Sequence, residues 1–61
     1  MSYIIKNKKY GTYYSKYLLG IKHFSPDIYE AMRFNLKKEA NLALRVFRHK
    51  DNYEIIKVPK W

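Results

Sequence analysis

The architecture of the chain can be predicted by working outward from residues 3–15, YIIKNKKYGTYYS. Tyr3–Lys6 is rich in residues that favour β-strands, and the polar segment Asn7–Lys9 is typical of a turn. Strand character resumes in Tyr10–Ser15, where Gly11 indicates a bulge or a close approach of two backbones. Residues 3–15 therefore predict a β-hairpin.

A helix-start signal follows at Ser25-Pro26-Asp27. It combines a hydroxyl for capping, a proline suited to the first turn and a carboxylate near the positive end of the helix dipole. Apolar residues then recur at helical spacing. They are Ile28, Met32, Leu36, Ala40, Ala43 and Phe47. The pattern predicts helical structure within residues 26–49.

The extent of that helix is open to two interpretations. A single helix from Pro26 to His49 would be about 36 Å long, and it would overhang strands of about 17–20 Å. We therefore favour a break at Phe34-Asn35, with Asn35 as the cap of a second helix. Against the break, the cations of Lys37-Lys38 would then lie near the positive end of that helix, where they are unfavourable.

The last predicted strand is Tyr53–Val58, which follows a turn at Asp51-Asn52. It needs a hydrogen-bonded neighbour, and of the two hairpin strands Tyr3–Lys6 is the better candidate. Ile21–Phe24 is a candidate for a short third strand. One helix covers only one face of a small sheet. The sequence thus predicts one α+β domain, residues 1–61. Its antiparallel sheet consists of the hairpin and the C-terminal strand, with a helix on one face in ββαβ order.

The charge of the chain is unevenly distributed. Thirteen lysines and arginines against five aspartates and glutamates give a formal net charge of +8 in 61 residues. The first 25 residues contain five lysines, five tyrosines and no acidic residue. Such a cationic, tyrosine-rich segment is suited to a negatively charged partner through Coulomb attraction and aromatic contact.

Several classes of function are disfavoured by what the sequence contains. The absence of cysteine excludes disulfides, thiolate metal sites and thiol nucleophiles. His23 and His49 have no neighbouring nucleophile, paired carboxylate or further metal ligand, so we expect no catalysis, metal or cofactor. No apolar run approaches the length of a membrane span, and residues 1–6 lack the features of a secretory signal. We expect a cytoplasmic protein that does not act in a membrane.

Five segments carry a family resemblance. They are Tyr3–Lys6, Tyr13–Lys16, Phe24–Phe34, Lys37–Ala40 and Tyr53–Val58. In this layout the chain resembles small, mostly uncharacterised proteins encoded by phages of Gram-positive bacteria. In those proteins a Ser-x-Asp-Ile-x-x-Ala-x-x-Phe segment precedes a helix that opens with Lys-Glu-Ala. The resemblance covers nearly the whole chain and supports the break after Phe34.

The resemblance implies a role more than a site. Small phage proteins of this kind include inhibitors of host enzymes and of bacterial defence systems, among them anti-CRISPR proteins. No binding residue carries over from the family to this chain. The net charge of +8 also differs from that of the acidic DNA mimics common among such inhibitors, so the resemblance does not imply mimicry of nucleic acid.

Two sets of residues are candidates for partner binding. The hairpin set consists of Lys6, Lys8, Lys9, Tyr13, Tyr14 and Lys16. The helix set consists of Lys37, Lys38, Arg45 and Arg48. Tyrosines that project from an uncovered sheet face between lysines can stack bases or contact an acidic protein. Alternatively, the tyrosines are cross-strand pairs and the helix cations a solvated face. Trp61 and Tyr53 are further candidates, as an exposed anchor for a partner. Alternatively, Trp61 folds back onto the sheet.

Three functions remain open at this point. The first is a non-enzymatic, phage-type protein that inhibits a host or defence protein by binding an acidic protein surface or a nucleoprotein complex. The second is a module that binds DNA or RNA directly through the open sheet face, although no RNP-like motif is present. The third is a structural accessory protein, for instance a homodimer formed through edge strands.

Overall fold

The structure is a computed structural model that describes residues 1–59. The strands are β1 (Ser2–Asn7), β2 (Thr12–Leu18), β3 (Ile21–Ser25) and β4 (Tyr53–Val58), and the α-helix is α1 (Lys37–Leu44). Short 3-10 turns are formed by Ile28–Glu30 and Lys50–Asn52. The candidate anchor Trp61 lies outside the described residues.

The four strands form one antiparallel sheet in the order β3-β2-β1-β4. The α+β class and the placement of the last strand beside the first are confirmed. β4 pairs with β1 along its whole length, from Ser2 opposite Val58 to Asn7 opposite Tyr53. The predicted ββαβ order is wrong because Ile21–Ser25 pairs with β2 as a further strand. The described elements follow one another as βββαβ.

The turn between β1 and β2 is held by the side chain of Asn7. Its Oδ1 accepts hydrogen bonds from the backbone N–H groups of Lys9 (2.9 Å) and Tyr10 (3.3 Å). Gly11 has a φ of +67°, in the left-handed region that glycine adopts without strain, and its N–H donates to the Asn7 carbonyl at 2.8 Å. Gly11 thus belongs to the turn. The irregularity of the sheet lies further on, between Tyr14 and Lys16.

The helix-start signal after β3 produces only a short 3-10 turn. The Ser25 Oγ accepts a hydrogen bond from the Asp27 N–H (3.1 Å), and the Asp27 carboxylate accepts one from the Tyr29 N–H (2.9 Å). The turn ends at Glu30, and the chain is extended at Ala31. Residues 26–49 therefore do not form a single helix, and the predicted interruption is confirmed.

The boundaries of α1 differ from those predicted. Leu36 takes the N-cap position instead of Asn35, and its backbone N–H donates to the Glu39 carboxylate at 3.1 Å. A carboxylate here also interacts favourably with the positive end of the helix. α1 ends at Leu44 and not near His49. Among residues 1–59, no helix has the length and hydropathy needed to cross a bilayer.

The segment between the 3-10 turn and α1 links the two middle strands. The Met32 N–H donates to the Tyr14 carbonyl of β2 at 2.8 Å. Tyr3 of β1 and Phe34 exchange two backbone hydrogen bonds, each of 2.8 Å. Ala31 packs in one apolar cluster and Phe34 in the other. Residues 31–34 thus carry the chain from one face of the sheet to the other.

Each face of the sheet has its own core. Ile4 and Ile5 are both fully buried, and as successive residues of a strand they point to opposite faces. On the Ile5 side the core includes Tyr14, Phe24, Phe34, Ala43, Phe47 and Tyr53. On the Ile4 side it includes Tyr13, Ile28, Ala31, Ile56 and Val58. The prediction that one face is left uncovered is therefore wrong over the part of the sheet that Ile28 and Ala31 cover.

Candidate partner-binding surface

Tyr14 is a core residue and not a surface contact. Only 6% of it is exposed, and its ring packs edge-on against Phe24 and Phe47, with centroids 5.9 and 5.2 Å away. Burial raises the pKa of the Tyr14 phenol, and the neighbouring phenol of Tyr17 raises it further. The prediction that Tyr14 projects from an open face is wrong.

The rest of the hairpin set is divided between exposed and partly covered positions. Lys8, Lys9 and Lys16 are exposed. Lys6 and Tyr13 are half-buried and lie opposite each other on β1 and β2. On its other side Lys6 faces Glu54 of β4, so an acidic neighbour offsets part of its charge.

The structure does not bring the exposed lysines of the hairpin set together. Lys8 and Lys9 belong to the turn at one end of the sheet, next to the Asn52 carbonyl, which the Lys8 N–H meets at 2.7 Å. Lys16 lies in the half of β2 that leads to the opposite end. A strand of seven residues is about 20 Å long, and Thr12–Leu18 separates the two ends of the sheet by that length.

The helix set is exposed throughout. Lys37 and Lys38 open α1, Arg45 ends it, and Arg48 lies beyond it. α1 packs on the Ile5 side of the sheet through Ala43 and Leu44. The helix set is therefore a group of exposed cations without a distinctive ligand geometry.

The most unusual exposed surface was missed at the sequence level. We define the hairpin tip as Tyr17, Leu18, Leu19, Gly20 and Ile21, the end of the β2–β3 hairpin. All four of its large apolar side chains are exposed, Leu19 to 90% and Ile21 to 61%. Lys16 and Lys22 flank the tip in sequence. The tip is thus an apolar projection bordered by cations.

The backbone conformation at Leu19 of the tip is unfavourable for a residue with a side chain. Leu19 has a φ of +53° and Gly20 one of +76°. Two-residue hairpin turns with two positive φ values favour Asn-Gly, because an ordinary side chain in this region costs about 1–2 kcal/mol. Because 90% of Leu19 is exposed, its packing offsets almost none of that cost. The detectable signal was an aliphatic residue before glycine where a polar one is expected.

The tip and its lysines are distributed over both faces of the β2–β3 ribbon. Leu18 lies opposite Ile21, and Lys16 lies opposite His23, on the same face as Ile4. Tyr17 lies opposite Lys22 on the Ile5 face. The Lys22 ammonium lies 5.3 Å from the centroid of the Phe47 ring, a cation–π arrangement that directs it along this face.

A shallow cleft of about 350 Å³ lies beside the ribbon. It is lined by Ser15, Lys16, His23, Phe24, Ser25, Pro26 and Glu30. Its hydroxyls are engaged, since the Ser15 Oγ donates to the His23 carbonyl at 3.0 Å and the Ser25 Oγ donates to the Glu30 carboxylate. Within residues 1–59, no cluster of three or more His, Cys, Asp or Glu side chains could hold a metal ion.

Comparison with known proteins adds no relative. No protein-family model matches the chain, and no curated protein or solved structure matches it significantly.

Proposed function

We propose that this protein is a non-enzymatic binding protein that docks on an acidic surface of a protein partner through the hairpin tip and its flanking lysines. The exposure of Leu18, Leu19 and Ile21 beside Lys16 carries the proposal. Clustered exposed apolar side chains mark interaction sites. Three of the four large exposed side chains of the tip are aliphatic and do not stack on nucleic-acid bases as the Tyr17 ring could, so this surface favours a protein partner.

The cellular role that we propose is inhibition. The resemblance to small phage proteins supports a target among host or defence proteins that process nucleic acid, in the manner of anti-CRISPR proteins. The surface of such a target that this chain contacts would be acidic, to complement a net charge of +8.

A second candidate function is direct binding of DNA or RNA at the β1–β2 turn. Tyr10 is 70% exposed there, and the Lys9 ammonium lies 5.4 Å from the centroid of its ring. Lys8 is exposed beside it. An exposed aromatic ring with adjacent cations can stack a base and pair with phosphates, and each stacked base is worth about 1–3 kcal/mol.

The test is capture of a partner on the immobilised protein and its variants. We expect a retained acidic protein to be released by Leu19→Asn, which removes the apolar side chain but suits the turn. Val46→Asn is the matched control, because Val46 is 70% exposed outside the tip, and it should retain the partner. Retention that is equal for all three proteins would rule out the tip as the docking surface.

The second candidate is separated from the first by oligonucleotide binding. Direct nucleic-acid binding predicts affinity for generic single strands that falls steeply with salt and is lost in the double variant Lys8→Glu/Lys9→Glu. The same double variant should still retain a protein partner that docks at the tip. An electrophoretic shift assay at low salt that detects no complex would exclude the second candidate.

A further inference from the structure

We infer that β3 is the site at which the partner binds, by adding an extended acidic segment to the sheet as a further strand. This inference rests on the proposed function and names the chemistry of the partner. In the described part of the chain β3 pairs on one side only, with β2. An edge strand presents unpaired backbone N–H and C=O groups, to which an extended peptide can hydrogen-bond.

The edge at β3 lacks the usual protection. Proteins commonly shield edge strands with outward lysines, prolines or bulges. Lys22 is the only lysine of β3, and its ammonium lies over the Phe47 ring instead of projecting beyond the edge. Pro26 follows the strand, and the irregular register lies in β2. β3 is therefore open to pairing from its Ile21 end, where the side chain is exposed, while Ser25 at the other end is buried.

The opposite edge of the sheet differs in composition. β4 carries Glu54 and Lys57, both exposed and of opposite charge, and Pro59 directly follows the strand. Exposed charged residues of both signs discourage strand addition, whereas a proline directly after the strand is common to both edges, since Pro26 follows β3. An added strand is thus favoured at β3 over β4.

The side chains of the ribbon define what the added strand carries. On one face the exposed pair Leu18 and Ile21 can pack against an apolar side chain of the added strand. The next pair on that face, Lys16 and His23, favours an acidic side chain. On the other face Lys22 favours a second acidic side chain. The preferred segment combines an apolar residue with neighbouring glutamates or aspartates, because successive side chains of a strand alternate between faces.

The charge distribution favours a segment of another protein over a second copy of this chain as the strand that pairs with β3. The first 26 residues, which include β1, β2 and β3, contain no acidic residue. Two β3 edges brought together would place the cationic β2–β3 ribbons of two copies side by side, at a net charge of +8 per chain. An acidic segment relieves this repulsion, so the occupant of the edge is a partner protein and not a homodimer mate.

The experiment uses synthetic peptides of about seven residues, the length of a strand, in which a valine and two adjacent glutamates match Ile21, Lys22 and His23 in that order. We expect binding to the full chain, with amide chemical-shift changes concentrated at Ile21–Ser25. A peptide in which every backbone amide is N-methylated keeps its charge but loses its hydrogen-bond donors. It should bind about tenfold more weakly or worse. Equal binding of both peptides would overturn strand addition in favour of simple electrostatic docking.

Paired variants locate the site. Ile21→Asp places a like charge beside the peptide and removes an apolar contact, so affinity should fall about tenfold or more. Val46→Asp makes the same change in net charge at a residue that is 70% exposed outside β3, and its affinity should change less than about threefold. Equal losses in the two variants would overturn the inference, as would dimerisation of the unliganded protein that Ile21→Asp abolishes.

Failure of this inference and failure of the proposed function give different results. A captured protein partner that is released by Leu19→Asn, together with equal binding of the unmodified and N-methylated peptides, leaves docking at the tip intact and excludes strand addition. Binding of the peptides at β3 without capture of any acidic protein refutes the proposed function instead.

Discussion

Leu19 combines two unfavourable features at one position. Its φ of +53° is costly for a residue with a side chain, and 90% of that side chain is in contact with solvent. Strain of this kind is retained where the surrounding structure or a function requires it. The hairpin could form with asparagine at this position, so the requirements of the turn do not explain the leucine.

We expect Leu19→Asn to increase the free energy of unfolding by about 1 kcal/mol, because asparagine tolerates the left-handed region better and leucine contributes little packing. Urea unfolding followed by circular dichroism measures the change. Leu18→Asn, at a neighbouring position without a positive φ, is the control and should not stabilise. A less stable Leu19→Asn protein would show that the exposed leucine packs in solution.

The buried phenol of Tyr14 makes the free energy of unfolding depend on pH in the alkaline range. Burial raises the pKa of its phenol above the ordinary value of 10.0. The unfolded chain therefore loses this proton at lower pH than the folded chain does. The resulting contribution to stability is complete below about pH 10 and is lost as pH rises through the folded pKa.

We expect Tyr14→Phe to weaken the decline of stability above about pH 10, because phenylalanine cannot ionise. Urea midpoints measured at neutral and alkaline pH for the two proteins provide the comparison. Tyr10→Phe alters an exposed ring and should keep the slope of the original protein. Identical alkaline slopes for all three proteins would contradict a buried phenol at position 14.

At the scale of the element, α1 is short and depends on how it begins. Eight residues are too few for a helix to be stable in isolation. Glu39 supports its first turn twice, by accepting the Leu36 N–H at 3.1 Å and by placing a negative charge near the positive helix end. Lys37 and Lys38 in the same turn act against that dipole.

We expect Glu39→Ala to destabilise the protein by about 0.5–1 kcal/mol, and Glu39→Gln to cost less because an amide oxygen can still accept the Leu36 N–H. Chemical denaturation of both variants measures the difference. Lys38→Ala removes a cation from the same turn and should be neutral or slightly stabilising. A stability loss for Lys38→Ala as large as that for Glu39→Ala would exclude the dipole argument.

The elements could be predicted where a local signal was strong. β4 was predicted with its observed bounds, Tyr53–Val58, since a turn precedes it and Pro59 follows it. The interruption before α1 followed from the length of strands. The cap at Leu36 was not predictable because a leucine side chain cannot accept a hydrogen bond, and the bond at this cap is donated by the Leu36 backbone N–H to the Glu39 carboxylate. The third strand was only a candidate, since Ile21–Ser25 is short and its pairing depends on the turn at Leu19.

The candidate site was only partly predictable. Tyr13 and Tyr14 are identical side chains in adjacent positions, so a shift of one residue decides which of them enters the aromatic core. The positive charge and the exposed lysines followed from composition. Their distribution over two ends of the sheet depends on the turns at Gly11 and Gly20. The exposed hairpin tip was missed because apolar residues are normally assigned to the core.

At the scale of the whole molecule, stability depends on two thin cores joined through β1. Phe47 lies at the centre of the larger one, with ring centroids 4.9 Å from Tyr53, 5.2 Å from Tyr14 and 6.2 Å from Phe24. It is 4% exposed although it lies beyond the end of α1. This ring joins α1 to both outer strands of the sheet.

We expect Phe47→Ala to cost about 3–5 kcal/mol, against a total of about 5 kcal/mol for a domain at the low end of the usual range. The variant should be largely unfolded at room temperature by circular dichroism. Val46→Ala, at the adjacent exposed residue, should change stability by less than about 0.5 kcal/mol. A folded Phe47→Ala protein would mean that the aromatic cluster can close around the lost ring.

The pairing of β1 with β4 also has a consequence for biosynthesis. A ribosome produces β1 before β4, and each residue of β4 is translated between 46 and 56 residues after its partner in β1. Until then the apolar clusters that bury Ile4 and Ile5 on the two faces of the sheet are incomplete. The nascent polypeptide must therefore stay soluble without its final structure, and a surplus of like charges in its first half keeps neighbouring nascent chains apart during that interval.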